Sequence, residues 1–155
     1  MVRVVIRALV AAVFLGGCGS AHSNETPTIA IGPIEVTSAP CQPCTDDRCI
    51  PCRGPMYSLT ASVRISNSGE GVLTVRTAGV ELRQNGTITT GLADAPTVGS
   101  VPAQIAGKSS LELEFKIYVM DGASPGHSVL KTSATGAFDD GTSWQAYAEL
   151  AVPYP

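Results

Sequence analysis

The chain has 155 residues with a formal net charge of −3, 16 glycines, 11 prolines and 15% charged residues. That length holds one domain of ordinary size. The acidic balance excludes nucleic acid and anionic lipid headgroups as partners, because both call for clusters of lysine and arginine.

Residues 1–7 carry Arg3 and Arg7 and no acidic group, and Ala8 to Leu15 is an unbroken apolar run closed by Gly16-Gly17. A basic start, a short apolar centre and small residues at the end are the parts of a secretory signal, expected as an N-terminal signal helix over residues 1–17. A transmembrane helix needs about 20 apolar residues, and polarity here sets in at Ser20. Leu15-Gly16-Gly17-Cys18 resembles the lipobox of bacterial lipoproteins. The resemblance implies that Cys18 is acylated and becomes the first residue once residues 1–17 are removed. Eight basic residues would then face thirteen acidic ones, a net charge of −5. A single acyl chain binds a membrane only marginally; the multiple acylation that the lipoprotein family places on this cysteine gives a stable anchor. Gly19 stands where lipoproteins retained at the inner membrane of enteric bacteria carry aspartate. The resemblance therefore implies a bacterial cell-envelope protein, lipid-anchored at the outer membrane rather than the inner one.

Residues 18–28 are polar, lack apolar periodicity and read as a flexible linker spanning roughly 17 Å on average, with His22 a solvated residue in it. Residues 29–155 read as one β domain. Ile29, Ile31, Ile34 and Val36 mark its first strand, and Gly32-Pro33 interrupts it. Proline cannot donate to a ladder, so this is expected to be an edge strand or a bulge.

Cys41-Gln42-Pro43-Cys44-Thr45-Asp46-Asp47-Arg48-Cys49-Ile50-Pro51-Cys52 follows, four cysteines within twelve residues. Three chemistries suit it. Two structural disulfides fit an exported, oxidised chain, and with Cys18 consumed by lipid the remaining count is even. Of three possible connectivities, the nested pairs Cys41–Cys52 and Cys44–Cys49 keep a single hairpin register. The outer bridge of that pairing contributes roughly 3 kcal/mol by loop-closure entropy. Four thiolates could instead hold zinc or iron, although only four residues separate the two knuckles. A redox pair is the third reading, opposed by the prolines and by the lack of a following helical pattern. Disulfides at Cys41, Cys44, Cys49 and Cys52 are the expectation; no metal and no cofactor is expected.

Tyr57 to Asn67 alternates cleanly, with Leu59, Ala61, Val63 and Ile65 on one face and Ser58, Thr60, Ser62, Arg64 and Ser66 on the other. Asn67 to Gly71 supplies a turn. Val72 to Arg83 holds Leu73 with Val75 and Val80 with Leu82, with a bulge or sheet switch expected at Gly79. Asn85-Gly86 predicts a two-residue hairpin and Thr87 to Thr90 a short return strand. Gly91 to Gly107 is irregular and is expected to cross between sheets. Ser110 to Met120 is the predicted spine, with Leu111, Leu113, Phe115, Ile117 and Val119 inward, each burial contributing about 1.5–3 kcal/mol. Ser128 to Phe138 and Ser143 to Val152 are the last two strands, joined by a turn at Asp140-Gly141. Seven or eight short strands, with no apolar stripe at helical spacing after the signal, predict an all-β, two-sheet, immunoglobulin-like sandwich, with a small barrel as the alternative.

Val63-Arg64-Ile65-Ser66-Asn67-Ser68-Gly69, Leu73-Thr74-Val75, Val80-Glu81-Leu82, Asn85-Gly86 and Ile105 to Phe115 together resemble bacterial surface immunoglobulin-like modules. The stretch over residues 57–120 is similar to the LEA type 2 (water-stress) domain and to the CARDB and ASPM-SPD-2-Hydin groups. Those families carry no catalytic residues, and the resemblance implies a binding, spacing or protective module.

Other groups read as structural. His127 sits in a glycine-rich loop with no nucleophile tied to it by spacing. Asp139-Asp140-Gly141-Thr142 lacks an EF-hand pattern and fits a hairpin turn. Glu112 and Glu114 fit a solvated strand face better than a glycosidase pair. Tyr118 and Tyr147 fall on outward faces and are the candidates for a shared aromatic patch that meets a partner. The sequence thus predicts a non-enzymatic, lipid-anchored envelope module that meets a protein or glycan. The alternative is a thiol-redox or metal-binding envelope protein acting through the cysteine cluster.

Overall fold

The structure, a computed structural model, describes residues 4–6, 26–39, 56–84, 87–93, 95–119 and 128–152. Among them lie nine strands: β1 (Val4–Ile6), β2 (Thr28–Ala39), β3 (Met56–Asn67), β4 (Leu73–Gln84), β5 (Thr87–Ala93), β6 (Ala103–Ile105), β7 (Ser109–Val119), β8 (Ser128–Phe138) and β9 (Ser143–Val152). Seven have seven residues or more; β1 and β6 have three each. No helix occurs among the described residues, and so none there is long and apolar enough to cross a membrane.

Two antiparallel sheets form a sandwich. One runs β1-β2-β3-β7; the other runs β5-β4-β8-β9, with β6 also paired to β4. The chain crosses between sheets after β3, again between β5 and β7, and again after β7. These crossings give the immunoglobulin-like order expected of alternating short strands. Alternation places Leu59, Ala61, Val63 and Ile65 of β3 and Leu113, Phe115 and Ile117 of β7 against Val80, Leu82, Leu130 and Leu150 of the other sheet, all buried. Phe115 is fully enclosed, at 0% exposure. Leu111 is only partly buried and packs against this core.

The interruption at Gly32-Pro33 is a register shift between Ile31 and Ile34 in the pairing of β2 with β3. Pro33 itself is exposed. An extra residue here re-phases the strand so that Ile29 and Ile31 before it, and Ile34 and Val36 after it, all face the core.

Strand β4 departs from expectation in where it bends. Its register against β8 slips between Val75 and Thr77, not at Gly79. The apolar residues occupy odd positions through Val75 and even positions from Ala78, so the change of phase must fall between them. Arg76 and Thr77 are both exposed. The bulge also marks where β4 changes edge partner, from β6 at Leu73–Val75 to β5 at Val80–Gln84.

Gln84 pairs with Thr87, so β4 and β5 are antiparallel neighbours as expected; Asn85-Gly86 lies outside the described residues. The crossing segment contains β6, which alternation cannot reveal in three residues. It also contains a bridge between Val98 and Glu114.

Val4–Ile6 lies within the expected signal helix but is a strand, pairing antiparallel with Ile34–Val36. Its β-branched residues suit an extended conformation, and among the described strands β1 takes the side of β2 away from β3. The rest of the expected signal, with the linker up to Glu25, lies outside the described residues.

Candidate functional site

One end of the β3–β7 ladder builds a polar groove of about 430 Å³, lined by Arg64, Ser66, Asn67, Ser68, Lys108, Ser109 and Ser110. Register explains the lining. Arg64 is the partner of Glu112 and Ser66 of Ser110, so these hydroxyls and charged side chains share the outward face, while Asn67, the partner of Ser109, falls on the core side.

Asn67 holds the groove in shape. Its side chain is buried, at 4% exposure. Nδ2 donates to the carbonyls of Gly71 (2.8 Å), Ile105 (3.1 Å) and Ala106 (3.2 Å), while Oδ1 accepts from the Gly69 amide (3.1 Å). One amide thus ties the turn after β3 to the turn before β7. The second turn closes on the first through the Lys108 amide, which donates to Gly69 O at 3.0 Å. Lys108 takes a left-handed conformation with φ of 58°. Its ammonium donates to Ser68 O and lies 3.4 Å from a Glu70 carboxylate oxygen. Glycine is required at 107: a Cβ there would stand 2.2 Å from the carbonyl oxygen of Glu70.

Charge in the groove is balanced. The Arg64 guanidinium pairs with Glu112 through Nε, and Lys108 faces Glu70. Both pairs are more than half exposed, where such contacts contribute little to stability. They matter instead as presentation: donors and acceptors of both signs beside four serines suit a neutral or zwitterionic, hydroxyl-rich ligand better than a polyanion.

The other sequence-predicted residues divide clearly. Tyr118 is 60% exposed on the outer face of β7, with the Lys116 ammonium 5.2 Å from its ring centre. Tyr147 is half-buried on the outer face of β9, with Lys131 at 5.3 Å. The two rings sit on different sheets and point away from the core on opposite sides, so they do not form the shared patch that outward placement alone allowed. Each is covered by its own lysine in a cation–π contact. Glu112 engages Arg64, and Glu114 accepts from the Thr97 hydroxyl at 3.2 Å. Asp140 accepts from the Thr142 amide at 2.8 Å, and Gly141 has φ of 84°, a hairpin-turn geometry. Among the described residues no three His, Cys, Asp or Glu side chains gather as a metal site. Cys18, Cys41, Cys44, Cys49, Cys52, His22 and His127 lie outside the described residues.

Sequence reasoning missed the groove. Its signals were two turn segments 38 residues apart, and nothing short of the β3–β7 register brings them together.

No known protein family matches the chain, and no curated protein does. Solved structures share its fold. A functionally unknown protein from Listeria monocytogenes EGD-e superposes with a TM-score of 0.53 at 12% identity, covering 96% of this chain and 89% of that one. The structural-genomics target SoR45 gives 0.52 at 12% identity over 81% and 87% of the two chains. The target BeR40 from Bordetella pertussis gives 0.51 at 14% identity over 84% and 96%. At these identities the likeness is one of fold, a β-sandwich.

Proposed function

We propose that this chain is a lipid-anchored, non-enzymatic interaction module of the bacterial cell envelope. The observation that carries the reading is Leu15-Gly16-Gly17-Cys18, placed after a basic start and a short apolar run. On this reading residues 1–17 are removed, Cys18 is acylated, and the sandwich is held at the outer membrane by a polar leash. The immunoglobulin-like grammar of residues 57–120 supports a binding or spacing role of the LEA type 2 or CARDB kind. The groove beside Asn67 is its candidate contact for an envelope protein or glycan. The cysteine run lies between Ala39 and Met56, whose Cα atoms are register partners. That pairing brings the two ends of the segment together and favours disulfides across it.

The test is metabolic labelling with an alkynyl fatty acid. Label is expected on the wild-type chain and absent from Cys18→Ser; label on both, or neither, sinks the anchor. Crosslinking through the groove in intact cells should recover an envelope protein or glycan, and recovery of neither would count against the module. Intact mass under denaturing, non-reducing conditions should show four hydrogens missing, one pair per disulfide. Free thiols retaining zinc or iron in the native protein would favour the metal reading instead.

A further inference from the structure

Edge strands present unpaired backbone N–H and C=O groups, which pair readily with a passing chain. Both edges of the β1-β2-β3-β7 sheet are partly covered. On one side the crossing segment bridges β7 at Glu114: Thr97 N donates to Glu114 O at 2.6 Å, and Glu114 N donates to Val98 O at 3.0 Å. On the other side β2 is a twelve-residue strand that, among the described residues, carries on its outer edge β1, three residues long, over Ile34–Val36.

The structure points to β2 as a strand-accepting site. We propose that removal of residues 1–17, on which this inference rests, uncovers Ile34–Val36. That edge then takes an extended segment of a partner protein, apolar at alternate positions with a neutral or basic residue between them. The chemistry follows from what fills the edge and what cannot. In β1 a valine stands opposite Val36, an isoleucine opposite Ile34, and the neutral Val5 opposite Glu35. Ile34 and Val36 face the core, so strand addition extends the sheet without disturbing the packing beneath it. A second copy of β2 fails the same test. Placing its Ile34 and Val36 at the apolar positions sets Glu35 against Glu35, and like charges directly opposite are unfavourable. Pro33 donates no hydrogen bond and closes the site on one side. The mode is β-augmentation, in which backbone bonds supply affinity and alternate side chains supply selectivity.

The test uses the full chain carrying Val5→Pro, which breaks the pairing of β1 and opens the edge. The probe is a fluorescent peptide with the sequence of residues 2–8. Trp144 fluorescence establishes that the variant is folded. The peptide is expected to bind Val5→Pro saturably, and the parent chain, whose edge is filled, roughly tenfold more weakly. Hydrogen exchange of Ile34–Val36 should slow roughly tenfold when peptide is bound. A peptide with Val5→Glu should bind about fivefold more weakly. A folded Val5→Pro chain that binds no peptide, or protects another strand, overturns the proposal. Dimerisation of Val5→Pro through β2 overturns the choice of a foreign strand. The N-terminus of chain recovered from cells separates the two readings. Residues 1–17 still in place overturn both this inference and the lipoprotein reading; a processed chain with no peptide binding overturns this inference alone.

Discussion

Asn67 and Gly136 show how much of this fold rests on single residues whose side chains contribute almost no apolar area. Asn67 serves four backbone groups in two turns, which Lys108 also ties together through the Gly69 and Ser68 carbonyls. Asn67→Ala leaves those groups without their partner, one contact buried and three part-buried, at a cost of about 1–3 kcal/mol. Urea unfolding followed by Trp144 emission should show that loss, and groove crosslinking should weaken with it. Asn67→Asp should recover only the Gly69 contact, because a carboxylate cannot donate to three carbonyls. Gly136 lies where strands β4, β8 and β9 meet under the indole of Trp144. A Cβ there would fall 1.8 Å from Thr74 O and 2.7 Å from the ring. The first contact is with backbone and cannot yield, so Gly136→Ala is expected to lose more than about 4 kcal/mol, in the rare severe range. Failure to recover folded protein at 37 °C is the readout. The indole Nε1 above it is buried with no hydrogen-bond partner, so Trp144 is held there by packing.

Among the elements, β4 makes a sharp prediction because its bulge is a matter of counting. Arg76 is the unpaired residue between the pairs Val75↔Gly136 and Thr77↔Thr135. Deleting Arg76 would join the two pairs into a regular ladder and keep Leu73, Val75, Ala78, Val80 and Leu82 on one face. The deletion should therefore fold, losing local twist and about 1–2 kcal/mol. Deleting Gly79 instead turns Val80 and Leu82 out to solvent and should not fold, since a one-residue slip exchanges the faces of everything beyond it. Circular dichroism and melting of the two deletions decide the matter. If both fold, or both fail, the bulge is misplaced. The edges repeat the lesson at the same scale: the crossing segment guards β7 through two residues, while β2 relies on its proline bulge and a three-residue strand.

At the scale of the whole molecule, one core joins both sheets, with residues of β2, β3, β4, β7, β8 and β9 in a single cluster. A chain with one core should unfold in one step, so Trp144 fluorescence and far-UV circular dichroism should give superimposable denaturation curves. Phe115, at the centre, is the strongest test: Phe115→Ala should cost about 3–5 kcal/mol and shift both curves together. Separate shifts would mean that the sheets unfold independently. Ile34–Val36 of β2 pairs with Leu59–Ala61 of β3, whereas the groove is lined from Arg64 onward. Asn67→Ala should therefore leave binding of the probe peptide to Val5→Pro unchanged, provided the domain remains folded.

Most of the strands were legible because period-two alternation is a local property of the chain. β8 and β9 begin and end where alternation places them, β3 begins one residue earlier, and β7 is shifted by one residue at each end. The β4–β5 hairpin was legible because Asn-Gly favours positive φ, also a local matter. The bulge of β4 was visible as a change of phase, but its position depended on which residues β8 pairs with. Strand β6 was not legible, since three residues cannot establish a period and their order comes from β4. The groove escaped for the same reason: Asn67 reads as a turn residue until a second turn, 38 residues later, arrives beside it. The outward placement of Tyr118 and Tyr147 followed from alternation, but sheet membership is a long-range fact, and it put them on opposite sides. By itself the sequence determined the all-β class and the faces of the long strands. The tertiary structure alone decided which strands share a sheet, where polar turns meet and which edge is left to pair, because each depends on contacts between residues far apart in the chain.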